Sequence, residues 1–199
     1  FDPNNIGDKD VIYIGATTSR DVPKIMAIAS QGSSLYIYEI SPEMIQGKKG
    51  TICSGYWELT PETGLVEGKL PVATSAYFDR MFYYAVGNKI YRADLTRSTP
   101  RSYEIYAHPD PSVRITRLKF RSQREDRWDI SGGDEVEAIP YDFVSYLGGV
   151  AEYPDGNCSM LEMKLTAAGE IDKEEGTKDL MVYEFKGFKN VVDFVYAFK

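Results

Sequence analysis

The chain has 199 residues, of which 43% are hydrophobic, and its 30 acidic and 23 basic side chains give a formal net charge of −7. This acidic balance argues against nucleic acid as a partner, because phosphate binding draws its affinity from clustered Lys and Arg. No run approaches the roughly 20 apolar residues of a membrane-spanning helix, so we expect no transmembrane segment in this chain, and no signal-like segment opens it.

Three similar β-hairpins are predicted along the chain. Their arms are residues 25–30 with 35–41, 81–86 with 90–96, and 149–153 with 160–166. The second arm of each alternates apolar residues and ends on a hydroxyl residue: Tyr36, Tyr38, Ile40 and Ser41; Tyr91, Ala93, Leu95 and Thr96; Leu161, Met163, Leu165 and Thr166. A recurring supersecondary unit is typical of a radial or stacked array of strands. We therefore predict an all-β fold, a β-propeller-like array of antiparallel blades, with a two-layer β-sandwich as the alternative.

Period-two runs predict further strands, and a helical stripe of ten or more residues is hard to find. These strands are predicted at 11–15, 51–59, 101–106, 113–121, 143–147, 180–185 and 191–198. Apolar residues move from odd positions (113 and 115) to even positions (118 and 120), which predicts a β-bulge between them. Residues 103–105, Tyr-Glu-Ile, recur in similar form at 183–185, Tyr-Glu-Phe, as a second internal repeat.

The number of predicted strands is about fourteen, or three to four blades, whereas closed propellers typically have at least four blades. Two polar stretches, 42–50 with 61–69 and 122–142, are predicted to be inserted loops or lids. We therefore predict that residues 1–199 form a single β-propeller-like domain, a partial propeller that is the C-terminal fragment of a longer protein. Its open ends would expose unpaired ladder groups, which predicts either missing blades upstream or edge-to-edge self-association of two copies.

Few residues favour catalysis. His108 is the only histidine, and it lies in a proline-bounded turn where we expect a solvated loop side chain. Glu135 and Glu137 would share one side of a strand, as in a paired-carboxylate glycosidase, although two acids in an acidic loop are common. With Asp134 they are also an alternative Ca²⁺ site, but the loop lacks the regular spacing of acidic ligands. Hence we predict no catalytic residue, no metal site and no cofactor.

The two cysteines, Cys53 and Cys158, are too few for a zinc cage or a disulfide framework. We expect each to be a small buried residue within a strand. A single disulfide in an oxidising compartment is the alternative.

One stretch of the chain is basic. Its residues are Arg114, Arg117, Lys119, Arg121, Arg124 and Arg127, and it is interrupted by Glu125 and Asp126 and followed by Asp129. We expect an exposed strand face that neighbouring acidic groups balance, with an anion site as the alternative.

Aromatic residues are the best candidates for ligand binding. The candidates are Tyr56, Trp57, Trp128 and Tyr141, which lie in or beside the inserted stretches, where core packing is least expected to require them. Flat rings at the mouth of a propeller stack on sugar faces while nearby charged groups bind hydroxyls. The alternative is that the tryptophans anchor their loops onto the sheets.

Residues 81–96 (MFYYAVGNKIYRADLT), 149–166 and the ending 183–199 (YEFKGFKNVVDFVYAFK) resemble the C-terminal propeller-like region of PKD-like family surface lipoproteins of Bacteroidetes. The resemblance covers most of the chain. It implies a lipid anchor upstream of this chain and export to the cell envelope, either anchored in the outer membrane or periplasmic or extracellular. It also implies an association with glycan-uptake systems, and it transfers no active-site residue.

Three functions follow as hypotheses. The first is a non-catalytic envelope module that binds a glycan or an envelope protein through loops at one end of the array. The second is a structural propeller that holds neighbouring proteins together. The third is a propeller carbohydrate-active enzyme that uses Glu135 and Glu137.

Overall fold

The structure, a computed structural model, describes residues 9–17, 24–32, 34–40, 53–59, 72–78, 81–97, 99–125 and 142–196. These residues contain twelve strands: β1 (Asp10–Thr17), β2 (Lys24–Gln31), β3 (Ser34–Ile40), β4 (Cys53–Leu59), β5 (Val72–Phe78), β6 (Met81–Val86), β7 (Lys89–Asp94), β8 (Ser102–Ala107), β9 (Arg114–Glu125), β10 (Asp142–Glu152), β11 (Asn157–Leu165) and β12 (Val182–Lys189). The all-β prediction is confirmed. Within the described ranges, no helix has the length and apolar composition needed to cross a membrane.

The strands form three four-stranded antiparallel sheets, and each sheet takes four consecutive strands in chain order. The first sheet contains β1 to β4, the second contains β5 to β8, and the third contains β9 to β12. The most extensive contacts between different sheets are made by β5, which contacts both β1 and β9. The first strands of the three sheets therefore lie next to one another.

The three predicted hairpins are confirmed as β2–β3, β6–β7 and β10–β11. The turn at Gly87 has a positive φ of 60°, a conformation that glycine adopts without the steric cost of a Cβ atom. At the third turn, the backbone N–H of Asn157 donates to the Asp155 carboxylate over 3.0 Å, and Gly156 has a φ of 81°. Asp155 and Gly156 therefore have the turn role that their residue types predict.

The predicted β-bulge lies in β9. Val150 pairs with Arg117 and Ala151 pairs with Ile115, so Thr116 is the extra residue. The bulge lets Ile115 and Leu118 both pack into the same buried cluster although they are three residues apart.

Three strand predictions differ from the structure. Residues 143–147 and the hairpin arm 149–153 are predicted as separate strands, but both belong to one continuous strand, β10. β5 was not predicted, because residues 72–78 are rich in Ala, Thr and Ser and do not alternate cleanly. A strand at 191–198 was predicted, but the described residues 191–196 have no strand pairing. Two alternate residues of this segment, Phe194 and Tyr196, instead pack against Gly148 on one face of the third sheet.

The predicted loops at 42–50 and 61–69 lie outside the described residues. The predicted loop at 122–142 begins within a strand, since β9 extends to Glu125.

The second sheet lies between the other two, and its strand β6 has buried side chains on both faces. Phe82 and Tyr84 of β6 face the first sheet, while the alternate residues Tyr83 and Ala85 face the third. The cluster between the first and second sheets contains Ile28, Leu35, Ile37, Leu59, Phe82, Tyr84, Tyr91, Ala93 and Leu95. The cluster between the second and third contains Tyr83, Ala85, Ile90, Val113, Ile115, Leu118, Leu147, Ala151, Leu161, Met163, Leu165 and Ile171. Burial of these side chains is the main stabilising contribution.

Candidate functional site

A cleft of about 510 Å³ opens between the second sheet and the segment that joins β11 to β12. Its floor and walls are contributed by β7, β8, the connector between these two strands and residues 170–180. Basic, acidic and apolar side chains all line it: Arg92, Arg97, Arg101 and Lys173; Asp94, Glu104 and Glu170; Tyr103, Ile105, Ile171 and Leu180. Concave sites of this size with convergent polar groups are typical of ligand clefts, for which volumes of roughly 300–1,000 Å³ are usual.

One wall of the cleft is a turn that docks onto the second sheet. Tyr83 Oη donates to the carbonyl of Gly169 over 2.7 Å, and the Arg92 guanidinium donates to the carbonyl of Ala168. The turn itself is closed by the N–H of Gly169, which donates to the carbonyl of Thr166 over 2.9 Å. Burial raises the pKa of Tyr83, so its hydroxyl remains a donor at neutral pH. These contacts fix residues 166–170 against the sheet.

The charges in the cleft are only partly paired. Arg92 lies 3.8 Å from Glu170, Arg97 lies 3.9 Å from Asp94, and Glu104 pairs with Lys89 over 2.7 Å. A hydrogen bond from the Thr96 hydroxyl is the largest influence that holds the pKa of Asp94 below its ordinary value. Within the described part of the chain, Arg101 and Lys173 form no ion pair.

Tyr103 supplies an aromatic surface to the cleft. Its side chain is 48% exposed, and Leu180 is 37% exposed. Tyr103 pairs across the sheet with Arg92, so both side chains leave the sheet on the same face. The cleft therefore offers a ring beside hydrogen-bonding and charged groups.

Of the four predicted ligand-binding residues, the structure describes Tyr56 and Trp57 and places them on opposite faces of the first sheet. Tyr56 is 47% exposed, and its ring centroid lies 6.2 Å from that of Tyr36, over which Lys9 Nζ is placed at 4.5 Å. Trp57 points to the opposite face and packs, partly buried, against the core between the first and second sheets. Trp128 and Tyr141 lie outside the described residues, as do Glu135 and Glu137. The structure therefore does not bring Tyr56 and Trp57 together on one surface.

The prediction of a solvated His108 is wrong, since this residue is only 5% exposed. Its backbone N–H donates to the carbonyl of Asn88 over 2.8 Å, and Asn88 Nδ2 donates back to the carbonyl of His108 over 2.9 Å. These bonds hold the connector between β8 and β9 against the turn of the β6–β7 hairpin. The imidazole consequently enters the interior, edge-on to Tyr106 and Tyr153.

The structure tests part of the cysteine and basic-stretch predictions, because the side chains of Cys53 and Arg124 and the whole of Arg127 lie outside the described residues. Cys158 is a free thiol in β11 and is 2% exposed, as predicted for a buried strand residue. Lys119 pairs with Asp193 over 2.8 Å and Arg121 pairs with Glu162 over 3.1 Å. Neighbouring acids do balance these two cations, but the side chains are only 33% and 21% exposed.

The described residues contain no group of three or more His, Cys, Asp or Glu side chains arranged to hold a metal ion. Comparison of the chain with protein families, curated proteins and solved structures finds no match in any of the three.

The residues of the cleft were missed at the sequence level, although a signal for two of them was present. Arg101 and Tyr103 occupy alternate positions at the start of a predicted strand, and alternate strand positions share one face. The pattern gives no sign of the opposite wall. That wall is positioned by the hydrogen bond from Arg92 to the carbonyl of Ala168, and these two residues are 76 apart in the sequence.

Proposed function

We propose that this chain is a non-catalytic ligand-binding module that binds a glycan in the cleft between the second sheet and the segment that joins β11 to β12. The observation that carries the proposal is the exposed ring of Tyr103, which lies in a concave site among four basic and three acidic side chains. A sugar presents an apolar face that stacks on such a ring and hydroxyl groups that bond to charged side chains.

The composition of the cleft also favours binding over catalysis. Its lining residues include no Ser, Cys or His that would act as a nucleophile or general base. Two of its three carboxylates, Asp94 and Glu170, lie near arginines, and Glu104 is paired with Lys89. Such paired carboxylates are poorly suited to the proton transfers of glycoside hydrolysis.

For the architecture, we propose a propeller-like array in which each sheet is one blade. Two observations support it over a two-layer sandwich: each sheet is a four-stranded meander, and the first strands β1, β5 and β9 lie side by side. In the second and third sheets, Tyr91 and Leu161 face the preceding sheet. The equivalent position in the first sheet is Tyr36, which favours an array that continues before the first sheet.

We also propose that the module acts in the cell envelope, carried by a lipid anchor upstream of this chain. This proposal depends on the resemblance of residues 81–96 and 183–199 to surface lipoproteins of Bacteroidetes. Fractionation of cells that express the whole parent protein would test it, since a protein found only in the soluble cytoplasmic fraction would contradict it.

The glycan proposal is tested by binding of the purified chain to an array of neutral and acidic oligosaccharides, followed by calorimetry on those that bind. Tyr103→Ala is expected to weaken binding about tenfold, or about 1.4 kcal/mol. Tyr183→Ala is the matched control, because Tyr183 is the repeat equivalent of Tyr103, is 44% exposed and does not line the cleft. Absence of any binding at millimolar concentration, or equal losses in the two variants, would contradict the proposal.

A second candidate function is protein association through the outer edge of the third sheet. Tyr183, Phe185 and Phe188 on β12 are 44%, 53% and 43% exposed, and β12 is the terminal strand of its sheet. An exposed apolar edge strand is a surface on which a second copy adds by edge-to-edge pairing. Light scattering of the wild-type chain and of Phe185→Lys distinguishes the cases: a dimer that the substitution dissociates supports this function, and a monomer at all concentrations removes it.

A further inference from the structure

We infer that the cleft selects an acidic saccharide, one that carries carboxylate or sulfate groups, over a neutral one. This inference rests on the proposed function of the cleft and names its ligand class.

The first support is the pairing of charges around the cleft. Arg92 and Arg97 each have an acidic neighbour within 4 Å, namely Glu170 and Asp94. The third acid, Glu104, is paired with Lys89, which does not line the cleft. Arg101 and Lys173 thus remain as two cations with no ion pair among the described residues.

The second support is the placement of these two cations. Arg101 precedes Tyr103 by two residues, and Lys173 comes from the opposite wall, where it forms an isolated bridge with Leu180. Cations from both walls therefore share the cleft with the exposed ring. A saccharide stacked on Tyr103 would have its substituents within the same cleft as these two groups.

The chemistry of the two groups determines what they prefer. The guanidinium of Arg101 offers a planar set of donors that matches the two oxygens of a carboxylate or sulfate, and Lys173 offers a compact positive charge. Neutral hydroxyls accept only single, weaker hydrogen bonds from the same donors. An anionic substituent thus gains more in this cleft than a neutral one.

The charge of the whole chain makes the position of these cations informative. Acidic residues outnumber basic ones by 30 to 23, so the protein as a whole repels an anionic ligand. Binding of an acidic saccharide therefore requires local positive charge that acids do not neutralise. Within the described residues that line the cleft, Arg101 and Lys173 meet that requirement.

The experiment compares charged and uncharged forms of the same oligosaccharides. The probes are tetragalacturonate with its methyl ester, and a sulfated galactan oligosaccharide with its desulfated form. The acidic member of at least one pair is expected to bind at least tenfold more tightly, with an affinity that falls as NaCl is raised. The two pairs distinguish carboxylate from sulfate recognition.

A double variant assigns the preference to the two cations. Arg101→Gln with Lys173→Gln is expected to remove the preference for the acidic form, because it lowers the affinity for the acidic form by a much larger factor than the affinity for the neutral form. Arg114→Gln with Lys178→Gln is the matched control, because it removes the same charge from two exposed residues outside the cleft.

The outcomes separate this inference from the proposed function. Equal binding of the acidic and neutral forms, or a preference that survives in the double variant, would overturn the inference and leave the glycan-binding function standing. If neither these probes nor any member of the oligosaccharide array binds, the proposed function fails and the inference fails with it.

Discussion

Nε2 of His108 lies 3.8 Å from Oε1 of Glu184, a contact that joins the connector after β8 to the last strand of the third sheet. Nδ1 of the same ring accepts a hydrogen bond from the backbone N–H of Asp110 over 3.1 Å, so Nε2 is the ring nitrogen that faces Glu184. Tyr153 Oη donates to the same Glu184 oxygen over 2.7 Å. The contact therefore links the second and third sheets through two residues that lie far apart in the sequence.

Glu184 is ionised at this contact. Burial opposes its ionisation, but the neighbouring Ser159 and Tyr153 hydroxyls and the charge of Lys186 outweigh burial and hold the pKa of Glu184 below its ordinary value. The Ser159 hydroxyl faces this carboxylate without meeting hydrogen-bond geometry.

We expect His108→Ala to destabilise the domain by about 2–3 kcal/mol, because it removes a buried ring from between Tyr106 and Tyr153. The measurement is the urea midpoint of unfolding with the slope m unchanged. A loss below about 0.5 kcal/mol, the range of ordinary surface substitutions, would mean that the ring does not stabilise the interface between the sheets.

The substitution Glu184→Gln removes the negative charge of Glu184 but keeps a side chain of similar size, so it tests the charge separately from the packing. Its matched control is Glu104→Gln, since Glu104 is the repeat equivalent of Glu184 but forms an exposed pair with Lys89. We expect the cost of Glu184→Gln to be reduced when His108 is already Ala, whereas the cost of Glu104→Gln is the same in both backgrounds. Equal costs for Glu184→Gln in the two backgrounds would show that the two groups do not interact.

Substitutions at two glycines test how firmly the turn at residues 166–170, one wall of the cleft, is held against the second sheet. Gly169 and Gly176 have φ values of 76° and 75°, so alanine is strained by the same backbone conformation at both. A Cβ at 169 would lie 2.5 Å from Tyr83 Oη, whereas a Cβ at 176 meets no atom within 4 Å. We expect Gly176→Ala to cost about 1 kcal/mol and Gly169→Ala to cost more, because the turn must move away from Tyr83.

Thermal unfolding of both glycine variants checks this difference, and binding checks its consequence. Displacement of the turn in Gly169→Ala is expected to weaken ligand binding in the cleft, while Gly176→Ala leaves binding unchanged. Equal unfolding temperatures and equal affinities for the two variants would contradict the role given to this turn.

The parts of the fold that the sequence predicts are those encoded over short distances. The bulge at Thr116 was predictable because the apolar phase changes within eight residues of one strand. The β6–β7 hairpin was predictable because Gly87 and the alternating arms around it are local signals. β5 lacked both kinds of signal.

The burial of His108 and the cleft were not predictable for the same physical reason. His108 is followed by Pro109, Asp110 and Pro111, which are typical of an exposed turn. Only the contacts of His108 with Asn88, Tyr153 and Glu184 place its ring inside. The cleft requires the turn at Gly169 to meet Tyr83, which is 86 residues away in sequence. Such contacts depend on how two sheets pack. The alternation of apolar and polar residues along a strand carries no information about that packing.

The thiol of Cys158 is expected to be unreactive in the folded protein. It is 2% exposed, and reaction with a thiol reagent requires access to the sulfur. In a Cys53→Ser background, we expect no labelling by a chromogenic disulfide reagent under native conditions and complete labelling in denaturant. Rapid labelling of the folded variant would show that β11 opens locally near this residue.

An ion pair holds the residues that follow β12 on the third sheet. Asp193 accepts a hydrogen bond from Lys119 over 2.8 Å, and this bond is the largest influence that holds the pKa of Asp193 below its ordinary value. Phe194 and Tyr196 then pack on Gly148, with Tyr196 against the guanidinium of Arg121. The ion pair thus helps to hold residues 193–196 on the outer face of the third sheet.

A carboxyl group whose pKa is lower in the folded state stabilises that state fully above its unfolded pKa, near 3.9, and loses this contribution as the pH falls through the folded value. We therefore expect residues 193–196 to remain docked at neutral pH and to detach as the pH falls below about 4. The measurement is the amide chemical shift of Gly148 as a function of pH, with Gly87 in the second sheet as the internal reference for global unfolding. In Asp193→Asn this local transition is expected to disappear, because no proton is bound at residue 193. A Gly148 transition that persists in the variant, or that coincides with the Gly87 transition in the wild type, would assign the acid sensitivity to other groups.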